Sequence, residues 1–147
     1  PRRSGTVYAG TTRAGIFRSM DGGATWTALN EGLGSTSVLS LVADRSEATT
    51  LYAGTVAGLY RRTDGEARWT MLGGERLRSV TAVAPDPHHV DSLYAGTGGF
   101  VLKSLDGGQS WTDLSQWVLS PMPRRPTQME SERPQAPATG HSTRERR

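Results

Sequence analysis

Ser19-Met20-Asp21-Gly22-Gly23-Ala24-Thr25-Trp26 is the stretch that decides the fold of this chain. A short carboxylate accepts backbone N–H groups in a tight turn, and glycine takes the positive φ that such a turn demands. The pattern returns at Ser104-Leu105-Asp106-Gly107-Gly108-Gln109-Ser110-Trp111, and around Asp64 and Trp69 in a weaker form with Arg62, Glu66 and Arg68 at three of its positions. In each copy the tryptophan opens a strand. Burying one indole removes roughly 150 to 250 Å² from water, worth at most about 4 to 6 kcal/mol, so each tryptophan is expected to anchor its repeat by covering the turn.

Working outward, each turn is preceded by the tripeptide Tyr-Ala-Gly, beginning at Tyr8, Tyr52 and Tyr94. Between these landmarks lie short segments rich in β-branched and aromatic residues. The second copy runs SVLSLVAD, TLYAGT, GLYRRTD and WTML, and the third runs SVTAVAPDP, SLYAGT, FVLKSLD and WTDL. Gly, Asp, Ser and Thr separate them, and none sustains a helical period. Four strands A to D with short links predict an antiparallel meander, because a parallel crossover needs a dozen or more residues. A period near 43 residues made of such units points to propeller blades. The expected fold is all-β: a partial β-propeller of about two and a half to three four-stranded antiparallel blades with a disordered C-terminal tail. Residues 1–36 form an incomplete blade with strands B to D, residues 37–78 and 79–119 are blades, and residues 120–147 are the tail.

These turns resemble the Asp-box or BNR-repeat β-propellers, whose signature is Ser-x-Asp-x-Gly-x-Thr-Trp. The first copy matches at Ser19, Asp21, Gly23, Thr25 and Trp26, and the third at Ser104, Asp106, Gly108 and Trp111, with Ser110 for threonine. The middle copy keeps Asp64 and Trp69. Similar proteins include sialidases, xyloglucan hydrolases, the sortilin ectodomain and photosystem II assembly factors. The resemblance implies a structural turn on the outside of the propeller, an extracellular or periplasmic setting, and a ligand site elsewhere. It does not choose among the activities, because unrelated functions share this fold.

At about 43 residues per blade, the chain has room for fewer than three complete blades, whereas propellers close with four to eight. The first copy begins inside an A-to-B loop and there is no initiator methionine, so the expectation is a piece of a longer propeller whose other blades complete it. Left open, its blade faces and sheet edges invite aggregation unless copies assemble. At the other end Val118-Leu119-Ser120 echoes Val38-Leu39-Ser40 before the repeat vanishes. Residues 120–147 hold five prolines, six arginines and three glutamates with few large apolar residues, a composition that cannot offset chain entropy. They read as a basic interaction tail, or as a linker or out-of-frame stretch of GC-rich DNA, which the arginine bias favours.

The tail supplies the entire net charge of +3, and residues 1–119 balance 11 basic against 11 acidic groups. A neutral folded body is no nucleic-acid footprint. With no cysteine, disulfides, thiol nucleophiles and thiolate metal sites are excluded. No apolar run is long enough to span a membrane. His88 and His89 are adjacent in a turn and point apart, and His141 lies in the tail, so no metal site is expected. Gly96-Thr97-Gly98-Gly99 lacks the lysine of a phosphate loop, and no serine sits in an activated elbow. One aspartate per box falls short of a calcium loop. No cofactor is expected.

Glycosidases need a carboxylate pair. In a meander the A-to-B and C-to-D turns share one face, which removes Asp21, Asp64 and Asp106. The opposite face offers Glu31, Glu75 and Asp113, with Arg76, Arg78 and Arg13 near them, as a possible ligand face for protein or glycan; no residue is assigned a catalytic role. Arg18, Arg61 and Lys103 recur three residues before each box aspartate, as a basic rim or as stems packed between blades. The leading expectation is a noncatalytic binding or assembly scaffold. The other is a fragment of a xyloglucanase-like or sialidase-like glycoside hydrolase, its acid and base lying partly in other blades.

Overall fold

The computed structural model describes residues 5–44 and 49–116. Among the described residues eleven strands form three antiparallel sheets. Strands β1 (Val7–Thr11), β2 (Gly15–Ser19) and β3 (Thr27–Ala28) make a three-stranded sheet in that order. Strands β4 (Val38–Asp44), β5 (Thr50–Thr55), β6 (Leu59–Thr63) and β7 (Thr70–Leu72) make a second, and β8 (Ala82–Pro85), β9 (Leu93–Gly96), β10 (Val101–Ser104) and β11 (Thr112–Asp113) a third, both four-stranded meanders. The all-β partial propeller expected from the repeat is therefore the fold. A 3₁₀ turn, Gly74–Arg76, interrupts the link from β7 to β8. The expectation of disorder for residues 120–147 lies outside the described residues.

Register follows the repeat. Tyr8 faces Arg18, Tyr52 faces Arg61 and Tyr94 faces Lys103 across neighbouring strands. All three cations are half-buried, and the Lys103 ammonium lies 5.2 Å from the centre of the Tyr94 ring. That distance allows attraction to the ring face. Each cation thus stands cross-strand from the tyrosine of its own repeat, within one sheet.

The core is divided between the seams where blades meet. Ile16 and Leu29 from the first blade pack with Val38, Leu51, Ala53, Tyr60 and Trp69 from the second. Tyr52, Leu59 and Leu72 from the second pack with Leu77, Val80, Val83, Leu93, Ala95 and Leu102 at the third. Neighbouring blades approach so closely that the glycine is a steric requirement in the first two copies of Tyr-Ala-Gly. A Cβ built on Gly10 would fall 2.7 Å from Val38 Cγ1, and one on Gly54 only 2.4 Å from the Val80 carbonyl oxygen.

The tryptophans correct one expectation. Trp69 is buried at 4 % exposure, but Trp26 is 44 % exposed. The indoles of Trp26 and Trp111 do lie on their own turns, each Nε1 donating to a turn carbonyl at 3.0 Å, Gly23 and Gly108, but what buries an indole is the blade before its own. Trp69 Nε1 donates to the Leu29 carbonyl of the first blade at 2.6 Å, and half-buried Trp111 packs against the cluster that includes Leu72 and Leu77. Trp26 has no preceding blade among the described residues.

Candidate ligand-facing groove

The box residues build two closed turns of nearly identical bonding. Ser19 Oγ donates to Asp21 Oδ1 at 2.7 Å and accepts from the Gly23 N–H at 2.8 Å, while Thr25 donates to the same carboxylate from its N–H at 2.9 Å and its hydroxyl at 2.5 Å. In the third blade Ser104 Oγ donates to Asp106 Oδ1 at 2.7 Å and accepts from the Gly108 N–H at 2.8 Å. Gln109 and Ser110 donate their N–H groups to Asp106, and the Ser110 hydroxyl adds a short bond. Gly107 and Gly108 turn the chain at φ 70° and 93°. Hydrogen bonds from Thr25, then Ser19, hold Asp21 well below the usual carboxylate range. Those from Ser110, then Ser104, lower Asp106 to about 2. Three hydrogen bonds to Asp21 and four donors to Asp106 commit these carboxylates to their turns.

The middle turn is held differently. The Thr63 N–H donates to Glu66 Oε2 at 2.7 Å, and the Asp64 N–H donates to the Thr49 carbonyl at 2.9 Å. Arg68, standing where the signature has threonine, reaches 3.5 Å to Glu31 of the first blade.

That pairing changes where Glu31 belongs. The sequence groups it with Glu75, Arg76, Arg78 and Asp113 on a face away from the boxes, but its carbonyl also accepts the Trp69 N–H at 2.8 Å. The reason is the shortness of the D strands: β3 has two residues, so the connection leaving it starts level with the neighbouring turn. Glu75 and Arg78 are exposed and 3.9 Å apart, worth little as a surface pair. Arg13 is exposed beyond the end of β1.

Arg76 and Asp113 are the two that come together. With Phe100, Leu102 and Trp111 they line a groove of about 250 Å³ between the second and third blades. Each wall follows from the fold: the 3₁₀ turn carries Arg76, β11 carries Asp113, and the short link before β10 presents Phe100 at 56 % exposure. The Asp113 carboxylate is lowered by hydrogen bonds from Ser115, whose N–H donates to Oδ1 at 2.7 Å. Aromatic faces beside a fixed carboxylate and a guanidinium suit a ligand with apolar faces and many hydroxyls. Sequence reading placed Phe100 inside strand C; the signal it passed over is Gly98-Gly99 directly before an aromatic, which puts that ring in a turn.

The two histidines stand away from this groove. His88 and His89 are exposed, with His89 Nδ1 3.1 Å from Asp86 Oδ2. Among the described residues no three metal-ligating side chains gather at one place, and no helix is long and apolar enough to cross a membrane.

No family profile and no curated protein matches the sequence. Solved structures do match in fold. An ancestral GH74 enzyme superposes with a TM-score of 0.66 at 20 % identity, over 77 % of this chain and 17 % of that one. The GH74 enzyme of Niastella koreensis gives a TM-score of 0.57 at 26 % identity, over 74 % of this chain and 20 % of its own. The chain thus spans a fifth or less of the length of these enzymes, and its blades are arranged as a segment of GH74-type propellers is.

Proposed function

We propose that this chain is a blade segment of a glycoside-hydrolase propeller and contributes glycan binding, with bond cleavage depending on carboxylates outside it. The observation that carries the reading is the Arg76, Phe100, Trp111 and Asp113 groove. Its aromatic walls can lie along sugar rings, and Asp113 and Arg76 can accept from and donate to hydroxyls. The GH74 likeness in fold favours this over the noncatalytic scaffold. The finer assignment to Asp-box propellers rests on the two turns at Asp21 and Asp106, and an extracellular or periplasmic setting would suit a glycan ligand.

Titration with xyloglucan-derived oligosaccharides, followed by NMR or calorimetry, tests the proposal. Phe100→Ala removes an exposed ring without touching a buried cluster, and is expected to weaken binding about 10-fold, or roughly 1.4 kcal/mol. Asp113→Asn should weaken it as well. Oligosaccharides that bind neither the chain nor any variant would remove the glycan reading, and hydrolysis by the isolated chain would contradict the division of labour.

A further inference from the structure

We infer that the groove between the second and third blades is a slot for a single ring, and that Leu102 is the residue that opens it. On the glycan reading of the groove, on which this rests, the ring is one sugar unit.

The repeats differ at two positions where the chain enters strand C. The first enters as Gly15-Ile16-Phe17 and the second as Gly58-Leu59-Tyr60, with glycine first and an aromatic ring third. The third enters as Phe100-Val101-Leu102, with the ring first and an aliphatic side chain third. Strand pairing makes these places equivalent: Phe17 faces Ala28, Tyr60 faces Met71 and Leu102 faces Asp113 on strand D. The third position points back at the preceding blade. Tyr60 belongs to the cluster shared with the first blade, and Leu102 to the cluster shared with the second.

The seam between the first and second blades shows what a ring does at that position. Tyr60 is 2 % exposed, and its hydroxyl reaches the link before β4 so closely that a Cβ built on Gly34 would collide with it. That buried hydroxyl has no hydrogen-bond partner among the described residues. A hydroxyl left unsatisfied costs stability, so what the ring contributes there is the volume it fills. One seam later the shorter Leu102 stands in its place. Arg76, three residues before Ser79 as Gly34 is three before Ser37, lines the same space. The groove therefore lies where a ring lies one seam earlier, and the exposed Phe100 forms its rim.

Size and wall chemistry set the occupant. Sites that enclose a drug-sized ligand begin at about 300 Å³, and this groove has about 250 Å³. It offers walls to one ring, and further units of a chain would extend into solvent. Asp113, held by the Ser115 N–H, can accept from one hydroxyl of that ring. Arg76, which has no ion pair among the described residues, can donate to another.

Calorimetry and methyl NMR on the full chain test this. Methyl glucoside and a tetrasaccharide of glucose should bind with affinities within about 3-fold of each other and shift the Leu102 methyl resonances. Leu102→Tyr, which gives the third blade the ring of the second, should weaken both by about 10-fold or more, with circular dichroism unchanged. p-Cresol, the tyrosine side chain as a free molecule, should enter the unaltered groove and be shut out by the same substitution. An affinity that climbs more than about 10-fold from one sugar ring to four overturns the single-ring slot and leaves the glycan reading standing. Sugar binding indifferent to a folded Leu102→Tyr does the same to the role of Leu102. Cresol bound and then excluded, with no sugar bound, upholds Leu102 as the gate and removes the glycan reading. Neither probe bound overturns both. If Leu102→Tyr does not fold, the chain-length series on the unaltered protein still decides.

Discussion

Trp69 and Trp26 hold the same place in their repeats and do unequal service. Trp69 is enclosed by the seam and bonded to Leu29, so Trp69→Ala is expected to cost about 3 to 5 kcal/mol in urea unfolding. Trp26→Ala at its exposed site should cost well under half of that. The lowered carboxylates give a second prediction. A group depressed on folding contributes stability above its unfolded pKa, near 3.8 for Asp106, and that contribution disappears as pH falls through its folded value of about 2. Acid titration of the folded chain should therefore lose stability between about pH 4 and 2, and Asp106→Asn should flatten that slope. These turns were legible in the sequence because Asp, Gly and Trp each have a separate local reason to be there. The exposure of Trp26 was not, because what covers an indole is supplied about 40 residues away.

At the scale of the element, strand B was read to the residue at Thr50–Thr55, where β-branched and aromatic residues are bounded by turn formers. Strands D came out shorter than WTML and WTDL suggest, since the tryptophan leans onto the preceding blade and leaves the ladder to begin one residue later. That shortening is also what moved Glu31 away from its expected companions. The Tyr-Ala-Gly glycines can be ranked by the room beside them. Gly54→Ala places a methyl 2.4 Å from a carbonyl oxygen, whereas Gly96→Ala meets only the Ala82 methyl at 3.5 Å. The first should lower stability by about 1 to 3 kcal/mol as overpacking does. The second should be close to neutral. Thermal melts of both variants decide the order.

Across the whole molecule, stability resides in two seams, each shared by neighbouring blades, so the chain behaves as a short one-dimensional array. Amide exchange should be slowest in β5 and β6, which belong to the blade flanked on both sides, and fastest in β1 and β11. Composition and repeat length made the architecture plain. The groove was half legible: Arg76 and Asp113 stand out as charged residues in the connecting face, but their convergence with Phe100 and Trp111 depends on how two blades meet, which no single repeat encodes. The grip of Trp69 on the Leu29 carbonyl, 40 residues back, carries a consequence for synthesis. The first blade, emerging from the ribosome, cannot lock when its own last strand appears; this bond waits until the indole of the second blade is translated, so its latch is delivered one blade late.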